Sequence, residues 1–205
     1  MRGFMADVLS IAEAIAPIAA EGVHRGAEVL NSMLQADVAL ETPNTSVVDP
    51  QTLASRLAGA YSGPLAWVSM RYMGDLRGAV ELVFGLDDAS RLAAVISADL
   101  SPGEDSDATR VAVVSEVGNV VINSVVGTLS NALSLRLQFT VPEYNEGDSN
   151  SVVSRVQEIE HPKVILVETA FSIAELDIHG YMVLYFSLET LLGLEERLPG
   201  ERRRL

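Results

Sequence analysis

The sequence contains no cysteine and one tryptophan, and aromatic residues make up 5% of its 205 residues. Without cysteine the chain forms no disulfide, no thiolate metal site and no cysteine nucleophile. Basic residues are also scarce, because 14 Lys and Arg stand against 28 Asp and Glu, which gives a net charge of −14. A surface this acidic repels a phosphate backbone and argues against nucleic-acid binding. The one basic cluster, Arg202 to Arg204, lies in an expected charged tail over 198–205.

Long uninterrupted apolar runs are missing as well. The most apolar stretch, 111–126, is interrupted by polar residues that include Ser115, Glu116, Asn119 and Asn123. The first 20 residues carry Asp7 and Glu13 where a secretory signal would be apolar. These patterns predict a cytoplasmic protein that neither crosses nor binds a membrane. Hydrophobic residues still make up 48% of the chain, enough for a sizeable core.

The motifs of the common enzyme classes are also absent. The sequence has no G-x-S-x-G, no Walker loop and no G-x-G-x-x-G. Its three histidines, His24, His161 and His179, are far apart and share no carboxylate at the spacing that metal ligands need. We therefore expect no metal site and no resident cofactor.

An internal duplication organises the chain. Residues 30–43 align without a gap with residues 129–142 at an offset of 99, which matches Pro43 with Pro142. Further along, 78–84 aligns with 180–186 at an offset of 102. Two matched blocks in the same order indicate one structural unit used twice. We expect one domain made of two repeats, over about 6–98 and 106–197.

Each repeat shows the same order of predicted elements. A long helix comes first, then a strand that a proline ends, a polar stretch, two strands joined by a short turn, and a short helix. The expected ranges are 6–35, 36–42, 43–62, 65–73, 77–84 and 87–98 in the first repeat, and 106–134, 135–141, 143–159, 163–172, 177–186 and 188–197 in the second. The turns fall at Gly74-Asp75 and Ala174-Glu175.

The two strands of each hairpin are too close in sequence for a helical crossover, so they must pair antiparallel. The predicted fold class is therefore α+β, a pseudo-twofold duplication with long helices packed on an antiparallel sheet. The polar second stretch, 143–159, is expected to be a mobile loop.

One pair of polar residues stands out in the second long helix. Glu116 and Asn119 are three residues apart, which places both side chains on one face of the helix. Gly118 lies between them, and a glycine inside a helix costs about 1 kcal/mol relative to alanine. A close approach by another backbone would explain it. The alternative is that Glu116 and Asn119 are ordinary solvent-exposed residues of an amphipathic helix. The spacing alone does not distinguish the two interpretations, because Glu-x2-Asn also occurs at Glu28 and Glu41.

The longer pattern separates this pair from the other two. Glu116-x2-Asn119, followed by 22 residues and Pro142, resembles the signature of the CheC/CheX/FliY family of chemotaxis phosphatases. The positions 23 beyond the other two asparagines hold Ala54 and Trp67. The length and the duplication are similar to CheC, and the likeness is strongest over 115–142.

The resemblance also shows two departures. CheC-type proteins often carry one site in each repeat, but the offset of 99 places Pro17 opposite Glu116 and Ala20 opposite Asn119. Pro43 remains as the counterpart of Pro142, so the first site is expected to be degenerate. Pro17 is expected to start or kink its helix. The second departure is Ala112, which stands where the family often has Asp or Ser.

The resemblance implies a function. It implies hydrolysis of the phospho-aspartate of a CheY-type response regulator, with Mg²⁺ held by that partner. Asn119 would orient the attacking water, Glu116 would pair with a lysine of the regulator, and Gly118 would provide clearance. Two alternatives remain: a weakly active or non-catalytic adaptor that binds the receptor deamidase CheD, and a dimerising module without enzymatic activity.

Overall fold

The computed structural model describes residues 2–34, 38–97, 106–154, 162–173 and 176–187. Both helices and strands occur along these ranges, as expected for an α+β protein. The helices are α1 (Arg2–Leu34), α2 (Pro50–Ala60), α3 (Leu86–Ile96), α4 (Ser106–Ala132) and α5 (Ser149–Ser154). The strands are β1 (Val38–Val48), β2 (Leu65–Gly74), β3 (Gly78–Gly85), β4 (Leu137–Phe139), β5 (Glu143–Gly147), β6 (Pro162–Ile173) and β7 (Leu176–Ser187).

All described strands form one antiparallel sheet in the order β1-β6-β7-β3-β2-β4, with β5 also paired to β2. The hairpins β2–β3 and β6–β7 form as predicted. The first strand of each repeat, however, lies at the edge of the other repeat's hairpin, because β1 pairs with β6 while β4 and β5 pair with β2. This exchange of edge strands joins the two repeats into one sheet.

The predicted pseudo-twofold symmetry is visible at the centre of the sheet. Where β3 meets β7, Gly78 pairs with Phe186 and Phe84 pairs with Gly180. Since Gly180 is the repeat counterpart of Gly78 and Phe186 that of Phe84, the two pairs are related by the twofold symmetry. The helices cross in the same way. A Cβ on Gly22 would lie 2.5 Å from the Cα of Val125, and one on Gly26 would lie 3.2 Å from the Cα of Val121. Helices α1 and α4 are therefore antiparallel and in close contact.

Two apolar cores lie on the two faces of this sheet. The larger core packs α1, α3 and α4 against alternate strand residues such as Val68 and Leu82. The smaller core packs α2 and α5 against the strand residues that face the other side of the sheet, which include Trp67 and Val83. Because successive strand residues point to opposite faces, strands covered on both sides are apolar almost throughout, as β2 and β3 are.

The predicted ends of the edge strands need correction. Pro43 does not end β1, which continues to Val48, and the register with β6 shifts between Glu41 and Asn44. A bulge of this kind accommodates a proline in an edge strand, while the hydrogen bonds to the neighbouring strand continue on both sides of it. In the second repeat the equivalent strand breaks into β4 and β5, and Pro142 lies in the break. The predicted strand 135–141 is therefore reduced to three residues.

The two polar stretches contain regular structure that the sequence pattern did not predict. Residues 43–62 hold the end of β1 and all of α2, and the expected mobile loop over 143–159 begins with β5 and α5. Pro17 lies inside α1 and does not start it. The predicted turn at Ala174-Glu175, the helix over 188–197 and the tail over 198–205 lie outside the described residues.

Helix α4 is the one helix of the described residues that is long and apolar enough to span a membrane. Half of its most apolar window is buried inside the protein. A core helix has the same length and composition, so this feature is weak support for a membrane span.

The short helices α2 and α5 begin at equivalent aspartates. Asp49 accepts hydrogen bonds from the Thr52 backbone N–H at 2.8 Å and from the Thr52 hydroxyl at 3.0 Å. Asp148, which is 99 residues later, accepts the Ser151 N–H at 2.7 Å. Each carboxylate satisfies a backbone donor of the first helical turn. The bonds from Thr52 lower the pKa of Asp49.

Replacing Asp49 with alanine is expected to lower the free energy of unfolding by about 1 kcal/mol at neutral pH. Since the folded pKa lies below the unfolded value, this contribution is present above the unfolded pKa. It is lost as the pH falls through the folded pKa. Urea denaturation of both proteins at pH 7 and in acid measures the difference. Asp49→Ser keeps a capping oxygen without a charge and serves as the control. A deficit of Asp49→Ala that is the same at both pH values would contradict the role of the carboxylate.

Candidate functional site

Helix α4 turns one face inward and presents Glu116 and Asn119 on the other. Its inner face buries Val114, Val117, Val121 and further apolar residues against the sheet and α1. Glu116 is exposed, and Asn119 is half-buried. The helical spacing of three residues thus brings the carboxylate and the carboxamide to the same accessible surface.

Gly118 lies on the inner face. A Cβ at this position would come within 2.6 Å of both Cβ and Cγ2 of Val68 and within 2.9 Å of its Cγ1. The close neighbour is therefore a side chain of β2 in the same protein, and not a second backbone. Because Gly118 has no side chain, α4 can pack closely on β2. Gly118 itself is buried, so an incoming partner would not contact it.

Asn119 is held by the next turn of its own helix. The Asn123 Nδ2 group donates to the Asn119 backbone oxygen at 2.8 Å and to the Asn119 Oδ1 at 2.6 Å. Glu116 has no hydrogen bond or ion pair to the part of the chain that the structure describes. The site therefore combines an oriented amide with a carboxylate open to an external cation.

Pro142 lies beside β2, the strand on which α4 packs. It falls in the break between β4 and β5, and its neighbour Val141 is 80% exposed. Two residues later, Tyr144 pairs with Val68, the residue on which Gly118 rests. Because paired strands lie about 4.8 Å apart, the corner at Pro142 lies close to the part of β2 on which the inner face of α4 packs.

Arg110 connects α4 with β5, although the sequence pattern does not predict this role. Its guanidinium is bonded to Asp107 at 2.8 Å, to Glu146 at 2.9 Å and to the Tyr144 hydroxyl at 3.3 Å. The Tyr144 hydroxyl also donates to Glu146 at 2.6 Å. The bonds from Tyr144 and Arg110 lower the pKa of Glu146, while burial and the bond to Glu146 raise the pKa of Tyr144 to about 12.

This network fastens the beginning of α4 to β5 and thereby sets the position of the next two helical turns, which carry Glu116 and Asn119. An arginine within an apolar helix was the only sign of it in the sequence.

The equivalent surface of the first repeat lacks this chemistry. Pro17 and the half-buried Ala20 occupy the positions that match Glu116 and Asn119. A groove of about 500 Å³ runs beside Pro17 between α1 and α4, and its charged residues, Glu21 and Arg25, pair with each other at 2.8 Å. Ala112 is exposed on α4, one turn before Glu116, and adds no polar group to the second site.

No protein-family profile and no curated protein matches the sequence. Solved structures do match. FliY from Thermotoga maritima superimposes with a TM-score of 0.69 at 20% identity, over 92% of this chain and 96% of that chain. The FliM middle domain from H. pylori gives 0.63 at 10% identity, over 92% and 98%. CheX in the CheX–CheY–BeF3–Mg²⁺ complex from Borrelia burgdorferi gives 0.50 at 15% identity, over 90% and 98%. At these identities the likeness is one of fold, and the chain has the fold that FliY, CheX and the FliM middle domain share.

Proposed function

We propose that this protein, with its CheC/CheX/FliY-type fold, is a phosphatase that hydrolyses the phospho-aspartate of a CheY-type response regulator. The observation that carries the proposal is the acid–amide pair on the outer face of α4, in which Asn123 holds the carboxamide of Asn119. The structure of CheX with CheY, BeF3 and Mg²⁺ supports the choice of partner, because CheX shares this fold.

The chemistry needs an attacking water placed in line with the phosphorus. The water oxygen bonds to phosphorus while the bond from phosphorus to the aspartyl oxygen breaks. The products are inorganic phosphate and the aspartate carboxylate, and the water supplies the oxygen and hydrogens of the phosphate product. The Mg²⁺ of the regulator neutralises the phosphoryl oxygens. What remains for the phosphatase is mostly positioning.

Asn119 suits this positioning role because a carboxamide is neutral and does not repel the phosphoryl group. It offers N–H donors to a water oxygen, and its Oδ1 keeps a second lone pair beyond the one that Asn123 uses. A carboxylate in the same place would add a negative charge beside the phosphate. We therefore assign the orientation of the water to Asn119.

Glu116 would fix the docking register through an ion pair with a lysine of the regulator. We expect Glu116→Gln to raise KM for the phosphorylated regulator by up to about fivefold, since exposed ion pairs contribute at most about 1 kcal/mol. kcat should change little, and the difference should shrink at high salt. Glu13→Gln, an exposed change of equal charge on α1, is the control. If Glu116→Gln lowered only kcat and left KM unchanged, Glu116 would have no role in docking.

The proposal is tested by mixing the protein with a Mg²⁺-loaded, phosphorylated CheY-type regulator from the same organism and following phosphate release. Wild type should accelerate release well above the spontaneous rate at substoichiometric concentration. If the rate stays at the spontaneous value with every CheY-type regulator of that organism, the phosphatase proposal is wrong.

A non-catalytic adaptor is the second candidate, and the likeness to FliM favours it. The FliM middle domain superimposes on 92% of this chain, and FliM from H. pylori has been crystallised in complexes with FliG and with SpeE. The degenerate first repeat and Ala112 point in the same direction. In this case the protein would bind a partner such as CheD or the regulator without releasing phosphate. A binding assay that accompanies the phosphate assay separates the two candidates.

A further inference from the structure

We infer that Asn123 is a positioning residue that fixes which end of the Asn119 carboxamide faces the reacting phosphoryl group. This inference rests on the proposed function and adds to it a residue outside the Glu116-x2-Asn119 pair. Asn123 lies four residues after Asn119, one helical turn further along α4, and is itself exposed. At this spacing the two side chains lie one above the other on the same face.

The hydrogen-bond chemistry determines the orientation of both amides. The Asn119 backbone oxygen can only accept, so the Asn123 atom that lies 2.8 Å from it must be the donor Nδ2. The same Nδ2 lies 2.6 Å from the end of the Asn119 side chain, which must therefore be the acceptor Oδ1. The Asn119 Nδ2 group is then the end that remains, and it is not bonded to any residue that the structure describes.

This orientation has a catalytic consequence. With Oδ1 held by Asn123, the two N–H donors of Asn119 face the site, where they can bind the oxygen of the attacking water. An inverted amide would present its carbonyl oxygen to the negative phosphoryl group. The fixed amide also loses less rotational freedom when the regulator docks, because its rotamer is already selected.

Two variants separate the presence of the contact from its polarity. Asn123→Leu has similar size and no donor, so the Asn119 amide becomes free to rotate. Asn123→Asp can only accept, so it draws the Asn119 Nδ2 toward itself and turns Oδ1 outward. Asn131→Leu is the matched control, because Asn131 is an exposed asparagine of the same helix with no side-chain bond to Asn119. All three should fold, since leucine favours helix over asparagine and the aspartate is exposed.

The first measurement is ¹⁵N relaxation of the Asn119 side-chain amide in the protein alone, assigned by its absence in Asn119→Ala. We expect a rigid amide in wild type and Asn131→Leu, and a mobile one in Asn123→Leu. The second is phosphate release from the Mg²⁺-loaded, phosphorylated regulator. We expect Asn123→Leu to lower kcat about tenfold with KM unchanged, as for the loss of one orienting hydrogen bond. Asn123→Asp should lose more.

Two results would overturn the inference: equal Asn119 mobility in Asn123→Leu and wild type, or equal kcat in Asn123→Leu and Asn131→Leu while wild type is active. If wild type releases no phosphate above the spontaneous rate, the proposed function fails. The relaxation measurement then decides by itself whether Asn123 holds Asn119, because it needs neither the regulator nor activity.

Discussion

Replacing Asn119 with alanine is expected to lower kcat for release of phosphate from the regulator by about 100-fold or more. This is the range seen when one preorganised donor at a developing charge is removed. The expected size follows from the proposed mechanism, in which the regulator already holds the metal and the phosphatase contributes little besides a placed water. KM should change much less than kcat, because docking depends on Glu116 and the surrounding surface.

The same substitution should not destabilise the protein. Asn119 is half-buried on the outer face of α4, and alanine has the higher helix propensity, so the free energy of unfolding should stay level or rise by about 0.5 kcal/mol. Asn131→Ala applies the same chemical change about three turns further along the helix and should keep full activity. Stopped-flow or radiolabel release assays with urea denaturation check both statements. If Asn119→Ala kept the wild-type kcat, Asn119 would have no catalytic role.

The second large effect is expected at Gly118. Gly118→Ala should lower the free energy of unfolding by about 2 kcal/mol, because its methyl group would meet Val68 at 2.6 Å and force α4 away from β2. Activity should fall as well, since the next residue is Asn119 and a small displacement of a positioning group is costly. The loss would occur although neither Glu116 nor Asn119 is substituted.

A double variant and a control separate packing from glycine chemistry in general. Gly118→Ala with Val68→Ala removes the two Cγ contacts, so the two changes should be coupled by about 1 kcal/mol in the stabilising direction. Gly127→Ala lies in the same helix with no heavy atom within 4 Å of the added methyl group, and it should stabilise the protein by about 1 kcal/mol. If Gly118→Ala behaved like Gly127→Ala in thermal and urea denaturation, the contact with Val68 would not matter.

Several elements could be predicted because their own residues carry the signal. The apolar period of 106–134 predicts α4 to within two residues at its C-terminal end, and the two segments 65–73 and 77–84, joined by a turn at Gly74-Asp75, predict the β2–β3 hairpin. The repeat at offsets of 99 and 102 predicts the pseudo-twofold arrangement that the register of β3 and β7 confirms. Glu116 and Asn119 could be placed on one face because three residues make nearly one helical turn.

Other features depend on contacts between distant residues. Pro43 and Pro142 occupy equivalent positions, yet the first lies in a bulge of a continuous strand and the second in a break. The local sequence reads the same in both cases, since a proline lacks the N–H that a ladder needs. The difference arises along the partner strands: β6 pairs with β1 on both sides of the bulge, while β2 pairs with β4 and β5 as two separate pieces.

The sequence by itself therefore determined the duplicated α+β architecture and the acid–amide pair on one helical face, because both depend on spacing within a segment. Only the tertiary structure decided the exchange of edge strands, the contact of Gly118 with Val68 and the network of Arg110. Each of these features joins residues that are far apart in the sequence, such as Arg110 and Glu146, which are 36 positions apart. Periodicity records that a face is buried, and it does not record what covers that face.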